Sequence, residues 1–497
     1  VNLSLTTLVE ELDDLFFERA TRAFRMAAGV QRDMAPVPEL PEVVRLEAWQ
    51  VTSEVMSSPR VDEAKRARLV LLRRHLARAS VEAQLVEADA RLTTALAGQT
   101  FFAAAKTWTA VEAQRELPRL ASREHRVALS TELSNQLGAQ GPLVARRLDR
   151  LLESLAALKL SPDAWWHELH GREVGPRLEA AQQVLSQTAD PAVDLLAFAL
   201  KKLDPQLTPR AAAAHDAERA LLAPWLFESF RREDLKHAVT RCLTDLGFTP
   251  NAEGRITLDT EARPGRDPNP HVFELRVPDQ VRLLLTPDAG VDTYAGWLSA
   301  WGTALHRAHV ARGRPFVERR LGDRAVIAAV GLVFESFLFE EGWLRRYLRL
   351  TNHQAREAAR VFAFRQLAQL RRAAVVASYS AEALRRGSWS SLTDDYVPRF
   401  SSALGVEVPR GAALFEIDAF GDALVRLDAY ALEHRLRGLM RERFNEDFWR
   451  NPATGRWLMD LASRGQQHDA PALTTSLGLE APSLAAAAQE RVALMGA

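Results

Sequence analysis

A mainly α-helical chain of two core-forming lobes with one small β-sheet is what this sequence predicts, and three observations carry that reading. Apolar residues recur at spacings of three and four, as in Leu148, Leu151, Leu155 and Leu158, or Val361, Phe364, Leu367 and Leu370. That spacing lays them along one helix face. The strand signal is confined to residues 255–287, where ITLDTEA, HVFELRV and QVRLLLT are short β-branched runs separated by RPGRDPNP and PD. Those separators are turn chemistry, and they predict a sheet of two or three strands. Finally, 497 residues are enough to bury two cores.

Taken in order, the N-terminal segment VNLSLTTLVEELDDLFFERATRAF has neither the basic start nor the apolar stretch of a signal peptide. The run from Lys65 to Arg78, KRARLVLLRRHLAR, reads as a helix with leucines facing a core and arginines facing solvent. Two prolines in KKLDPQLTPRAAAA interrupt the helical pattern and place a boundary there, dividing the chain into an N-terminal helical lobe, 1–205, and a C-terminal lobe, 206–497. Cys242, the single cysteine, sits in AVTRCLTDLG as a buried helical thiol. One thiol excludes an intrachain disulfide and any multi-cysteine metal site held by this chain alone.

Charge narrows the partners. Lys and Arg number 64, and so do Asp and Glu. A balanced chain lacks the positive face that phosphate binding needs, so neither nucleic acid nor a membrane surface is an expected partner. No run reaches the ~18 apolar residues of a membrane span. The expectation is a soluble, cytoplasmic protein. There is no fixed-period repeat and no low-complexity tract.

The common catalytic signatures are also missing: no phosphate-binding G-x-x-x-x-G-K-S/T or G-x-G-x-x-G loop, and no G-x-S-x-G elbow. DAWWHELHGRE holds His167, Glu168 and His170, but its histidines are three apart, whereas a zinc helix needs them at i and i+4 around the glutamate. They are read as structural or surface histidines.

From Arg263 to Leu348 a run of landmarks stands in order: Arg263-Pro264-Gly265, HVFELRVPDQVRLLL, Asp292-Thr293-Tyr294 opening a helix over about 292–311, Leu321-Gly322-Asp323, and FESFLFEEGWLRRYL. This stretch resembles the zinc oligopeptidases of the thimet oligopeptidase and oligoendopeptidase F group. The likeness extends through LEHRLRGLMRERFNEDFWRNPATGRWL. The resemblance implies a two-lobed, zincin-like fold whose small sheet lies beside a central cleft. In that group the helix after the sheet carries H-E-x-x-H, often as H-E-F-G-H-A-L-H. Here the aligned residues are Ser299-Ala300-Trp301-Gly302-Thr303-Ala304-Leu305-His306.

The glycine, the Ala-Leu pair and the last histidine match, while the ligand positions are Ser299 and Thr303 and the general-base position is Ala300. The third ligand of the group is a glutamate in G-D-N-S-V-T-E-G-Y-A-F-L-F-E. The equal-length run GDRAVIAAVGLVFE, Gly322 to Glu335, puts Ala328 there. Tyrosines that stabilise the tetrahedral intermediate fall on Asp422 and Arg426. Zinc needs imidazole, thiolate or carboxylate donors, so no zinc and no other cofactor is expected.

Three functions follow from the resemblance. The first is a pseudopeptidase that binds a peptide or protein partner, such as an active paralogue, without cleaving it. The second is an enzyme with new chemistry in the same cleft, using Asp422, Arg426, His306 or Glu335. The third is a zinc oligopeptidase with a displaced site built from His306 and His309 with Glu335, Glu340 or Glu341. Glu335 is otherwise expected to pair with Arg345 or Arg346, and His306 and His309 to be satisfied structural histidines.

Overall fold

The computed structural model describes residues 5–31 and 42–496. Val1 to Ser4, where the N-terminal segment begins, lie outside the described residues. In chain order, strands β1 (Thr100–Ala103) and β2 (Lys106–Thr109) precede helices α1 (Arg123–Ala139), α2 (Ala214–Leu222) and α3 (Arg232–Asp245). Strands β3 (Ile256–Asp259), β4 (His271–Arg276) and β5 (Gln280–Leu284) follow. Helices α4 (Val291–Ala308), α5 (Arg324–Glu335), α6 (Glu341–Leu348), α7 (Asn352–Arg386) and α8 (Asp422–Phe444) come after them, among further helices. The fold is mainly helical, as the apolar spacing predicts.

Contacts group the chain into two compact units, each built from three segments: Val1–Ala77, Leu226–Ala359 and Asp428–Ser483 in the first, and Arg78–Trp225, Arg360–Leu427 and Leu484–Ala497 in the second. The sequence reading divided the chain into consecutive segments instead.

The first unit contains the expected sheet, with three strands in the order β3-β5-β4. β3 pairs parallel to β5, with Ile256 opposite Val281, and β4 pairs antiparallel to it, with Val272 opposite Leu283. Val281, Leu283 and Leu284 are buried where helix α4 covers β5, while Gln280 is exposed and Arg282 partly so. Helix Leu5–Ala27 packs on β4. Beneath the sheet, α4 and α5 pack closely along their lengths. The start of α5 is set by Asp323, whose carboxylate accepts from the Ala325 amide. Trp297, Trp343, Phe334 and Phe337 lie fully buried in this core. From the basic run, Leu69, Leu72 and Leu76 turn inward, and Arg68 donates to Glu318 at 2.7 Å.

Cys242 behaves as expected: it is buried on α3, receives a hydrogen bond from Trp343 Nε1 at 3.2 Å, and burial pushes its thiol up to about 12. It is a packed apolar group rather than a nucleophile.

The second unit corrects one expectation: the strand signal is not confined to one stretch. β1 and β2 form an antiparallel hairpin with the buried pair Phe101 and Trp108 face to face. Its turn is made by Ala104 and Ala105, both at positive φ, 50° and 60°. Glycine or asparagine normally marks such a turn, so four-residue strands joined by two alanines carry no turn signal in the sequence. Packing of Phe101 and Trp108 against Leu129, Leu133 and Leu137 of α1 decides the conformation instead. The HELH helix, Pro162–His170, ends at Gly171 in a left-handed cap. His170 hydrogen-bonds the Phe420 carbonyl at 2.8 Å, and His167 faces Glu173, so both serve local structure.

Candidate functional site

Ser299 and Thr303 are one turn apart on α4 and share a face. That face meets α5 at Gly331, where a Cβ atom would come within 2.8 Å of Ser299 Oγ and 3.0 Å of Thr303 Oγ1. Ala328 stands three residues before Gly331, one turn along the same side of α5. Ser299 and Thr303 are partly open and Ala328 is exposed, so the three positions form one accessible patch. Ala300 lies buried beside it.

The glycine in the aligned motif has a mechanical reason. A Cβ on Gly302 would lie 2.6 Å from Cδ2 and 2.8 Å from Cγ of the Phe334 ring. The helices approach so closely there that only hydrogen fits. Gly302→Ala is therefore expected to destabilise the chain: overpacking costs about 1–3 kcal/mol, against the ~1 kcal/mol that alanine gains over glycine in a helix. Urea unfolding measures the balance, and a variant at least as stable as the parent would show that Phe334 swings aside.

The remaining residues singled out in the sequence do not join this patch. His306 is buried among Phe248, Phe334 and Leu458. Burial, with the Arg307 charge beside it, lowers its imidazole to about 3, and its Nε2 has no hydrogen-bond partner. It is thus neither on an open surface nor satisfied as expected. His309 is satisfied through Nδ1 by the Leu305 carbonyl at 2.7 Å. Glu335 is buried, and its expected pairing is corrected: Arg346 donates to Asp245 from Nη2 and Nε at 2.9 and 3.1 Å, and Arg345 donates to Asn352. Asp245 wins because α3 packs against α6 and Tyr347 adds a hydrogen bond at 2.8 Å. Glu340 accepts from Arg441, and Glu341 faces Arg356. Among the described residues no group of three His, Cys, Asp or Glu converges as metal ligands.

Asp422 and Arg426 open α8 in the second unit. Asp422 faces Arg78 at 3.5 Å and Arg426 is exposed. A further pocket in that unit went unnoticed in the sequence, because its polar residues come from separate segments and match no motif.

No protein-family model and no curated protein matches the sequence. Solved structures do match over nearly the whole chain. An M32 carboxypeptidase from Deinococcus radiodurans R1 aligns with a TM-score of 0.60 at 14% identity, covering 99% of both chains. A putative oligoendopeptidase F from Bacillus anthracis str. Ames aligns with a TM-score of 0.60 at 12% identity, covering 92% of this chain and 83% of its own. The fold is that of these metallopeptidases. A carboxypeptidase from Pyrococcus furiosus agrees, with a TM-score of 0.58 at 13% identity over 99% of this chain and 100% of its own. At such identities the likeness is one of fold alone.

A metallopeptidase fold implies zinc, and the donor set tests that implication. Ser299 and Thr303 offer neutral hydroxyls and Ala328 a methyl group, none of which replaces imidazole or carboxylate. The residues at the positions that the sequence resemblance singles out do not fit the metal. Among the described residues no helix is long and apolar enough to cross a membrane.

Proposed function

We propose that this chain is a non-hydrolytic relative of the metallopeptidases that binds a peptide or partner-protein segment at the Ser299/Thr303 face without cleaving it. The observation that supports the reading is the patch itself: the three positions that the sequence resemblance assigns to ligands, Ser299, Thr303 and Ala328, lie on the facing sides of α4 and α5 and are accessible, and they hold two alcohols and a methyl group. A hydroxyl pair flanked by small residues favours hydrogen bonding to an extended backbone over activating water. A catalytically competent paralogue is one partner of this kind.

The test is elemental analysis of protein purified without chelators, zinc titration, and incubation with a peptide library read by mass spectrometry. The expected result is less than stoichiometric zinc, intact peptides, and a Tm raised by at least one peptide or partner, since a ligand that binds only the folded chain stabilises it. Stoichiometric tightly held zinc, or zinc-dependent cleavage, would overturn the proposal.

A further inference from the structure

The second unit contains a pocket of about 350 Å³, within the range of small-molecule sites. Its walls are mostly apolar: Leu133 and Leu137 of α1, Leu221 of α2, Phe364 of α7, with Leu196 and Val406. Four charged side chains line it, Glu218, Arg371, Arg372 and Glu416, and two of them satisfy each other, Arg372 donating from Nη2 to Glu416 at 2.6 Å.

Glu218 lies on α2. Its side chain keeps open surface, while the surrounding protein pushes its carboxyl above the ordinary carboxylate range, a shift that the Arg372 and His215 charges oppose and the Glu416 charge reinforces. The pocket is open to solvent, and Glu218 stands on its wall as an exposed carboxyl with protein on its other sides. Among the described residues it has no hydrogen-bond partner, in contrast to its charged neighbours. Arg371 also lines the pocket, but its guanidinium is taken by the Ala403 and Leu185 carbonyls and the Thr188 hydroxyl at 2.6–3.0 Å. His215 turns Nδ1 to Asp216 at 3.1 Å. Two carboxylates therefore face one available guanidinium, and the unfilled demand is for a single hydrogen-bond-donating cation.

We propose that this pocket binds a small amphipathic amine, with Glu218 accepting its ammonium and the leucine-rich walls enclosing an alkyl or arylalkyl body. The site is independent of the peptide-binding reading, since it uses no residue of α4 or α5. A carboxylate ligand would place like charge against Glu218 and Glu416. A neutral alcohol of equal length would gain the apolar burial without the charge-assisted hydrogen bond.

Isothermal titration calorimetry of the full chain with n-octylamine, n-octanol and octanoate tests this. Octylamine is expected to saturate one site per chain and to bind about tenfold or more tighter than octanol, with octanoate weakest. Glu218→Gln should weaken octylamine by a similar factor while leaving octanol unchanged, and its unliganded Tm should equal or exceed the parent's, because a desolvated carboxyl has gone. Ala368→Phe, which fills the pocket from α7, should abolish binding of both. If Glu218→Gln fails to fold, the octylamine-to-octanol ratio in the parent chain still decides the matter. No saturable octylamine binding, equal binding by Glu218→Gln, or a preference for octanoate would overturn the proposal.

Discussion

Changing Ser299 and Thr303 to histidine and Ala328 to glutamate is expected to create a zinc site across α4 and α5. The three positions are already neighbours across α4 and α5, and Gly331 presents no side chain between them. Two imidazoles at i and i+4 with a carboxylate from the facing helix supply three protein ligands and leave a fourth position open. A dissociation constant on the order of micromolar or tighter, about −8 kcal/mol, is the expected scale. Free zinc at about a hundred times that constant then stabilises the triple variant by ~2.7 kcal/mol. Differential scanning calorimetry with and without zinc reads the shift. A folded triple variant with no zinc-dependent change would mean that these are not the metal positions. Peptide hydrolysis is not expected from it, because position 300 remains alanine and no general base stands beside the metal.

The largest loss of stability is expected at Asp216. Its carboxylate is fully buried on α2 and accepts from Arg126 Nη2 at 2.8 Å, Arg123 Nε at 3.1 Å and the Ala213 amide at 3.3 Å. Burial alone would raise its pKa, but the His215 imidazole 3.1 Å away and the hydrogen bond from Arg126 outweigh that and hold the carboxyl well below the usual carboxylate range. Asp216→Asn leaves the buried Arg126 guanidinium without its counter-charge, a change that costs about 3–5 kcal/mol. Because the folded value lies below the unfolded one, Asp216's stabilisation is complete above pH ~4 and fades as pH falls toward the folded value. Urea midpoints of parent and variant across pH should differ most near neutrality and converge in acid. A neutral-pH difference under ~1 kcal/mol would show that Arg126 finds other acceptors.

The helices that carry Ser299, Thr303 and Ala328 were legible because their signals are local. The apolar stripe of α4 and the aspartate cap of α5 each act within one helix, and counting along the chain from such landmarks is how the resemblance assigns Ser299, Thr303 and Ala328. Glu335 was misread for the opposite reason. Its expected pairing with Arg345 or Arg346 rested on nearness in sequence, whereas Asp245, about a hundred residues away, reaches Arg346 when α3 packs against α6. His306 shows the same limit: helical spacing puts it one turn beyond Thr303 but says nothing of the phenylalanine and leucine neighbours that bury it.

By itself, then, the sequence determined the helical class, a small sheet at residues 255–287 and the buried thiol, because periodicity, turn residues and linear spacing are properties of adjacent residues. Only the tertiary structure decided that two alanines turn the Phe101–Trp108 hairpin, that Gly302 is required by the Phe334 ring, and that Glu218, among the described residues, stands without a hydrogen-bond partner in an apolar pocket. Each of these depends on atoms that meet only when distant segments pack, and close packing rather than local preference sets their energies.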